Sequence, residues 1–240
     1  MKIGVITGLQ RESACFDTIT RAHWDFEIFT GVGPERAALG AETFIDAGAC
    51  GLLSFGVAGG LTAGVSAGAL VLADAVFDGN RCYPTDTAWR NKISESISDT
   101  CEVISGTLAG TDRMISTLDG KQRLHRHSAA VACDMESHAV ARIAASHGVP
   151  FVVIRAISDP HDRFVPSWVL KSVNPAGAVC IPALLWQAVQ QPGSWRGLAG
   201  LSRDANSAFE SLRSVALRLG PGLRFQASLF FFTFLSHGLY

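Results

Sequence analysis

Two acidic residues near the middle of the chain occupy positions where carboxylates can do chemistry. Glu136 opens a segment with helical spacing of apolar residues, which Gly148 and Pro150 close. Asp159 follows a β-branched run over residues 151–157 that predicts a buried strand. Loops at the carboxyl ends of such strands carry the ligands of open α/β sheets. The two carboxylates are therefore predicted to face one cleft, where they could bind a ligand and transfer a proton to it.

Each carboxylate also has a simpler interpretation when it is considered alone. Glu136 would cap a helix, because carboxylates are common at helix starts. Asp159 would begin a turn before Pro160. A functional interpretation therefore depends on further residues that match the same chemistry.

The segment around the two carboxylates resembles the superfamily of purine nucleoside phosphorylases and methylthioadenosine/S-adenosylhomocysteine nucleosidases. The matching residues are Met135, Glu136, Arg155, Ser158 and Asp159. Further segments resemble that superfamily in the same order, namely residues 1–6 with Glu12, 30–33, 55–61 and 110–115. The resemblance spans residues 1–165 and implies an enzyme that cleaves the N-glycosidic bond of a nucleoside.

The resemblance also implies a role for the matched polar residues. Cleavage builds positive charge on the ribose while negative charge moves onto the purine. Asp159, helped by Ser158, would protonate the purine at N7, since a buried strand end can raise its pKa. Glu136 would accept the ribose hydroxyl groups, a pairing that strengthens as the sugar becomes cationic. Arg155 would orient neighbouring carboxylates, with an ordinary salt bridge at the core edge as the alternative.

Smaller and apolar residues complete the implied nucleoside site. Met135 would pack under the sugar, although a plain core methionine is the alternative. Ala58 and Gly59 lie in the glycine-rich loop, where small residues let the backbone approach a ligand closely. Met114 and Ile115 would enclose the base.

The nucleophile is left open by the sequence. Glu12 matches the glutamate that activates water in the nucleosidases, so hydrolysis is chemically available. Phosphorylases bind phosphate with arginines and a loop hydroxyl, for which Arg11 and Arg36 are the candidate ligands. Val57 stands where that hydroxyl would be needed. We therefore expect water, with inorganic phosphate as the alternative co-substrate.

Within the superfamily the chain most resembles the hopanoid-associated branch, whose members are thought to remove adenine from adenosylhopane. The supporting features are the loop over residues 54–60, the acidic helix start at 134–137 and an added segment after Asp159. One alternative is a methylthioadenosine/S-adenosylhomocysteine nucleosidase, and another is a non-catalytic nucleoside-binding protein. The joint presence of Glu12, Glu136 and Asp159 argues against the latter.

The predicted fold is α/β, with strand-like runs alternating with helical patterns. The runs lie at residues 2–7, 51–55, 69–77 and 151–157, and the helical patterns at 34–48, 134–147 and 201–219. The resemblance implies a three-layer, nucleoside-phosphorylase-like arrangement, in which helices flank a central mixed twisted sheet and a helical extension follows.

Three segments are predicted along the chain. Residues 1–165 form the nucleosidase core and residues 166–220 extend it with helix. Residues 221–240 form an apolar tail, for which an edge strand, a disordered end, a partner interface and a shallow membrane contact are the alternatives. Residues 78–100 are polar and predicted to be irregular.

Composition narrows the class of protein. The chain has 240 residues, a net charge of −1 and a sequence pI near 6.6, which gives no electrostatic reason to expect nucleic acid. Its six cysteines are scattered without a Cys-x-x-Cys pair, as in a reducing compartment. We expect a cytoplasmic location, with peripheral contact at the inner membrane face if the tail inserts. The resemblance implies a homo-oligomer without a cofactor, and an adenine nucleoside as ligand, lipid-linked in the hopanoid interpretation.

Competing motifs are weaker. Residues 64–68 spell a Gly-x-Ser-x-Gly motif, but a strand-like run follows Ser66 rather than precedes it, so a turn is favoured over a nucleophile. Residues 31–33 begin like a dinucleotide loop and are either a helix start that can hold an anion or a tight turn. Residues 125–127 near Cys133 lack zinc-site spacing, so no metal is expected.

Overall fold

The protein is described by a computed structural model that covers residues 2–17, 25–98, 102–166, 174–178 and 195–226. The strands are β1 Ile3–Thr7, β2 Phe26–Thr30, β3 Gly51–Gly60, β4 Leu70–Phe77, β5 Cys82–Pro84, β6 Val103–Gly110, β7 Ala132–Asp134 and β8 Phe151–Asp159. The helices are α1 Gln10–Ser13, α2 Pro34–Asp46, α3 Thr87–Ile97, α4 Leu118–Ser128, α5 Ser137–His147 and α6 Trp195–Leu219, with a 3₁₀ turn over Ala14–Phe16.

All these strands belong to one mixed sheet. β1 pairs in parallel with β2 and β3, and β3 runs parallel to β8. β4 is parallel to β6 and antiparallel to β5 and β8, while β7 joins β6 in parallel and β3 antiparallel. β3, β7, β6, β4 and β8 are therefore hydrogen-bonded in a closed ring. The predicted mixed sheet is confirmed, and the ring brings several carboxyl ends of strands together.

Helices cover both faces of the sheet, as predicted. β8 shows why, because its residues Phe151 to Ile157 are all buried and alternate between two apolar clusters. Val152, Ile154 and Ala156 join the cluster under α3 and α6. The alternate positions contribute to the cluster under α2 and α5. The three-layer α/β arrangement is therefore confirmed.

The C-terminal helix α6 packs along β8 and closes the core. Ala208, Leu212, Val215 and Leu219 are buried at helical spacing, and the helix ends before Gly220, whose φ of 67° suits a glycine. The helix predicted over residues 201–219 is therefore present and begins earlier than predicted. Among the described helices, none is long and apolar enough to cross a membrane.

The first residues of the predicted apolar tail belong to the core. Leu223 is fully buried, and the indole Nε1 of Trp89 donates a hydrogen bond to its carbonyl oxygen at 2.7 Å. Phe225 packs edge-on against Trp89, with 4.7 Å between ring centroids. The aromatic run over residues 228–235 lies outside the described residues.

The prediction of irregular structure for residues 78–100 was wrong. This stretch contains β5 and α3, and Asp86 caps α3 by accepting the backbone N–H of Trp89 at 2.7 Å. Trp89, Ile93 and Ile97 are buried at helical spacing. Because polar residues separate these three positions, the sequence alone did not indicate an apolar helix face. Ser66, by contrast, lies exposed in the turn before β4, as predicted.

Candidate active site

A cavity that is partly open to solvent lies at the carboxyl ends of β1, β3, β6, β7 and β8. This is the edge at which α/β sheets place their ligands. Nine of the sequence-predicted site residues line it: Glu12, Ala58, Gly59, Met114, Ile115, Met135, Glu136, Ser158 and Asp159. The cavity is further lined by Gly8, Leu9, Val32, Val57, Thr111, Cys133 and Asp134.

Glu12 is held at the cavity wall by backbone donors. Its Oε2 accepts the N–H groups of Gly8 at 2.7 Å and Leu9 at 2.8 Å, and its Oε1 accepts that of Val57 at 2.8 Å. The side chain is 3% exposed. A Cβ at Gly56 would lie 2.5 Å from Oε1, so only glycine leaves room for this carboxylate. The glycine-rich second half of β3, which the sequence predicted as a loop, thus fixes the position of Glu12.

Glu136 connects the cavity to the start of α2. Its Oε1 accepts the backbone N–H of Gly33 at 2.9 Å, where a φ of 88° turns the chain into the helix. The predicted anion at this helix start is therefore the protein's own carboxylate. Glu136 also precedes α5, but its side chain makes no capping hydrogen bond there. Its carboxylate is available to the cavity instead.

Arg155 forms a buried ion pair with Asp134, which lines the cavity. It is 1% exposed and pairs with Asp134, with Nε to Oδ2 at 2.7 Å, and donates from Nη2 to Ser54 Oγ at 2.8 Å. Asp134 also accepts the backbone N–H of Ser137. Arg155 thus forms a buried salt bridge with Asp134 and also places a positive charge close to Glu12 and Glu136.

Asp159 lies at the end of β8 with both oxygens held by donors. Ser158 Oγ donates to Oδ1 at 2.8 Å, and Lys121 Nζ donates to Oδ2 at 2.7 Å. A Cβ at Gly59 would lie 2.9 Å from Oδ2, so this glycine near the end of β3 makes room for the acid as well. Burial raises the pKa of Asp159, and the Lys121 ammonium opposes that rise.

The two arginines predicted as phosphate ligands do not line the cavity. Arg11 donates to Asn206 Oδ1 at 2.7 Å and lies over the Phe209 ring, on the α6 side. Because consecutive helix residues point about 100° apart, Arg11 cannot face the cavity while Glu12 does. Arg36 packs against the Phe29 ring and lines a neighbouring surface cleft instead. Phosphate binding through Arg11 is therefore not supported by its position.

Burial and charge repulsion raise the pKa of the site carboxyls. Loss of solvation and the nearby Asp134 raise the pKa of Glu136 to about 7, while Arg155 opposes the rise. The pKa of Glu12 is also raised by burial, with Arg155 and its three backbone donors acting in the opposite direction. Glu136 can therefore change protonation near neutral pH.

Because burial and Asp134 disfavour the charged form of Glu136, removing this charge is expected to increase the free energy of unfolding. Because its pKa rises from 4.5 to about 7 on folding, its contribution to stability is largest below pH 4.5 and lost as the pH passes 7. We expect Glu136→Gln to stabilise the fold by about 1–3 kcal/mol at pH 8. Thermal unfolding should then show a midpoint several degrees higher than wild type at pH 8, with the gain shrinking towards pH 5. A lower or unchanged midpoint at pH 8 would contradict this electrostatic description.

Two important side chains were not identified from the sequence. Asp134 adjoins the Met135–Glu136 pair, and its place before a helix was a usable signal. Lys121 gave no signal, because a single lysine on a polar helix resembles a solvated residue. Among the described residues, no group of three or more His, Cys, Asp or Glu side chains could hold a metal ion, and His125 Nδ1 lies 2.8 Å from the Ala130 carbonyl oxygen.

Residues 27–181 match the family model described as the phosphorylase superfamily. The match covers more than half of the chain, so the chain belongs to this superfamily. The prediction of an enzyme in the nucleosidase and phosphorylase class is confirmed at that level. Glu12 precedes the matched residues, so its place in the site rests on the geometry described above.

Solved structures with the same fold include several nucleosidases. A 5′-methylthioadenosine/S-adenosylhomocysteine nucleosidase from Neisseria meningitidis, in complex with methylthio-immucillin-A, is similar with a TM-score of 0.66 and 15% identity over 91% of this chain and 97% of that one. An S-adenosylhomocysteine nucleosidase from Streptococcus pyogenes has a TM-score of 0.60 and 21% identity, over 68% of this chain and 86% of that one. A futalosine hydrolase mutant from Helicobacter pylori has a TM-score of 0.58 and 19% identity, over 66% of this chain and 90% of that one. At these identities the likeness establishes the shared fold.

Proposed function

We propose that this protein hydrolyses the N-glycosidic bond of an adenine nucleoside and releases adenine. The observation that carries the proposal is that three buried or half-buried carboxylates, Glu12, Glu136 and Asp159, line one cavity at the carboxyl ends of the strands. Membership of the phosphorylase superfamily and a fold shared with nucleosidases support the same reaction class.

The proposed chemistry divides between the two ends of the cavity. As the bond between C1′ and N9 breaks, its electron pair moves to the purine, which takes a proton at N7 from Asp159. Water adds to the cationic C1′ and gives a proton to Glu12. Glu136 accepts the ribose hydroxyls more strongly as positive charge develops on the sugar. Met135 lies next to Glu136 in the cavity lining and would pack under the ring.

Water is favoured over phosphate by four positions. Arg11 is held by Asn206, and Arg36 lines a neighbouring cleft that shares Val32 with the cavity, so neither guanidinium lines the cavity itself. Val57 contributes a backbone N–H to Glu12 and has no side-chain hydroxyl for an anion. A carboxylate at the position of Glu12 would also repel phosphate. Phosphorolysis therefore remains the second candidate, supported by the superfamily to which the chain belongs.

The base and the five-prime substituent would meet apolar surfaces. Met114 and Ile115 line the same cavity as Ser158 and Asp159, and they are proposed to enclose the adenine. Leu9 and Val32 give an apolar lining on the side of Glu12, where a substituent would lie. Adenosylhopane is the proposed natural substrate on the basis of the sequence resemblance, with methylthioadenosine as the alternative.

A substrate panel tests this proposal. The purified protein would be incubated with methylthioadenosine, S-adenosylhomocysteine, adenosine and an adenine nucleoside that carries a long five-prime hydrocarbon chain. Adenine release would be measured by chromatography with and without phosphate. Preference for the long-chain nucleoside would support the hopanoid assignment, and preference for methylthioadenosine would replace it. No release from any of them would refute the proposed activity.

The close contact between Gly56 and Glu12 yields a second test. Gly56→Ala should displace the Glu12 carboxylate, and we expect a loss of adenine release of about 100-fold, as misplacement by 1 Å can cause. Gly64→Ala is the matched control, since a Cβ there meets nothing within 4 Å. Both variants would be compared by initial rates after their folding is checked by circular dichroism. Wild-type activity in folded Gly56→Ala would show that the position of Glu12 is not critical.

We propose a homo-oligomer, which size-exclusion chromatography with light scattering would test, and a cytoplasmic location. The division into a core over residues 1–165 and an extension over 166–220 is also kept, although α6 packs directly on β8. Because Leu223 and Phe225 pack in the core, we place the start of the tail after residue 226 and not at residue 221.

A further inference from the structure

Lys121 on α4 is a buried charge that the proposed reaction leaves without a role. Its exposed fraction is 0%, and its ammonium group has three acceptors within hydrogen-bonding distance. These are Asp159 Oδ2 at 2.7 Å, the Asp159 carbonyl oxygen at 2.9 Å and the Pro160 carbonyl oxygen at 2.8 Å. All three ammonium hydrogens are therefore used at the end of β8.

Neither the helix nor the core explains a lysine at this position. Lysine is almost never fully buried without a partner, because the ammonium group loses its solvation. Lys121 also lies in the N-terminal half of α4, where the helix dipole disfavours a cation. The contacts with Asp159 are what offset these costs. An apolar residue at this position would avoid both of them.

We propose that Lys121 is the positioning residue of the acid, fixing the Asp159 carboxyl group and balancing its charge after the proton has left. This inference rests on the proposed function for the identity of the proton acceptor. Ser158 holds Oδ1 and Lys121 holds Oδ2, so the carboxyl plane is fixed from both sides. When Asp159 gives its proton to N7, the carboxylate that remains faces an ammonium group at 2.7 Å.

Among the charges around Asp159, that of Lys121 has the largest influence on its titration. The charged and titratable groups around it are Lys121, Cys133 on β7, Asp204 on α6 with its partner Arg163, and Glu12 and Glu136 across the cavity. Burial raises the pKa of Asp159, Asp204 adds to the rise, and Lys121 opposes it. Loss of the Lys121 charge should therefore raise the pKa of Asp159 further.

The test compares neutral and charged replacements of this lysine. The titration of the Asp159 carboxyl carbon would be followed by ¹³C nuclear magnetic resonance in wild type, Lys121→Met, Lys121→Gln and Lys121→Arg, with Asp159→Asn used to assign the signal. We expect the midpoint to rise by about one pH unit or more in the two neutral variants. It should stay near the wild-type value in Lys121→Arg. Lys2→Met, which removes an exposed lysine, is the control.

The same variants would be assayed for adenine release across the pH range. In the neutral variants, the basic limb of the pH–rate profile should move to higher pH together with the carboxyl titration. In Lys121→Arg, it should lie at the wild-type pH. A folded neutral variant whose Asp159 midpoint does not move would overturn the proposal, even if its activity had fallen, because a purely structural lysine predicts that result. Absence of adenine release from wild type would refute the proposed function alone, since the carboxyl titration needs no turnover.

Discussion

Replacing Glu12 with glutamine is expected to reduce adenine release to the background rate at every phosphate concentration. Glutamine keeps the size of the side chain and one acceptor oxygen, so either the two backbone contacts with Gly8 and Leu9 or the one with Val57 can persist. It cannot accept a proton from the attacking water, and general-base contributions are about 10²–10⁴-fold. The rate would be measured by adenine release at saturating nucleoside.

The matched control for this variant is Glu42→Gln, which removes an exposed carboxylate from α2 and should leave the rate unchanged. Phosphate-dependent activity that survives in Glu12→Gln would contradict the hydrolytic assignment. That result would favour phosphorolysis and would require an anion site other than Arg11, whose guanidinium is turned towards α6.

Replacing Asp159 with asparagine should remove most turnover while adenine nucleosides still bind. Asparagine preserves the shape of the side chain and an oxygen for Lys121, but it carries no transferable proton. We expect a fall in kcat of about 10²–10⁴-fold with a dissociation constant close to that of wild type. Single-turnover rates and calorimetric binding would separate the two quantities.

The control for the acid is Asp46→Asn at the exposed end of α2. Retention of more than about a tenth of the wild-type rate in Asp159→Asn would lie outside the range for a general acid, and the assignment of Asp159 would fail. A fall in affinity without a fall in kcat would instead identify Asp159 as a base-binding residue.

The spacing of apolar residues predicted the strands that are buried on both faces and the helices that bury one face. β3 and β8 are buried on both faces and therefore read as continuous β-branched or apolar runs. The cores of α2 and α5 repeat at helical spacing. α3 was missed because its three buried residues lie among charged ones, and only the packing of Trp89 under Leu223 makes that face apparent.

The site was predictable where a motif joined residues close in sequence, and not where the fold joined distant ones. Glu136 and Asp159 each stand at the boundary of an element whose end the sequence marks. Lys121 reaches Asp159 across 38 positions of the chain, and no local pattern encodes that contact. Arg11 was misplaced because sequence order does not reveal which neighbour in a short helix faces inward.

The most direct test of the proposed function is the fate of oxygen during adenine release. The protein would be incubated with its best nucleoside from the substrate panel in phosphate-free buffer prepared with H₂¹⁸O, and the released sugar would be analysed by mass spectrometry. We expect adenine and a pentose that carries one ¹⁸O atom, formed in wild type and absent in Glu12→Gln. Release of adenine that requires phosphate and yields a pentose 1-phosphate, or no release at all, would contradict hydrolysis at this site.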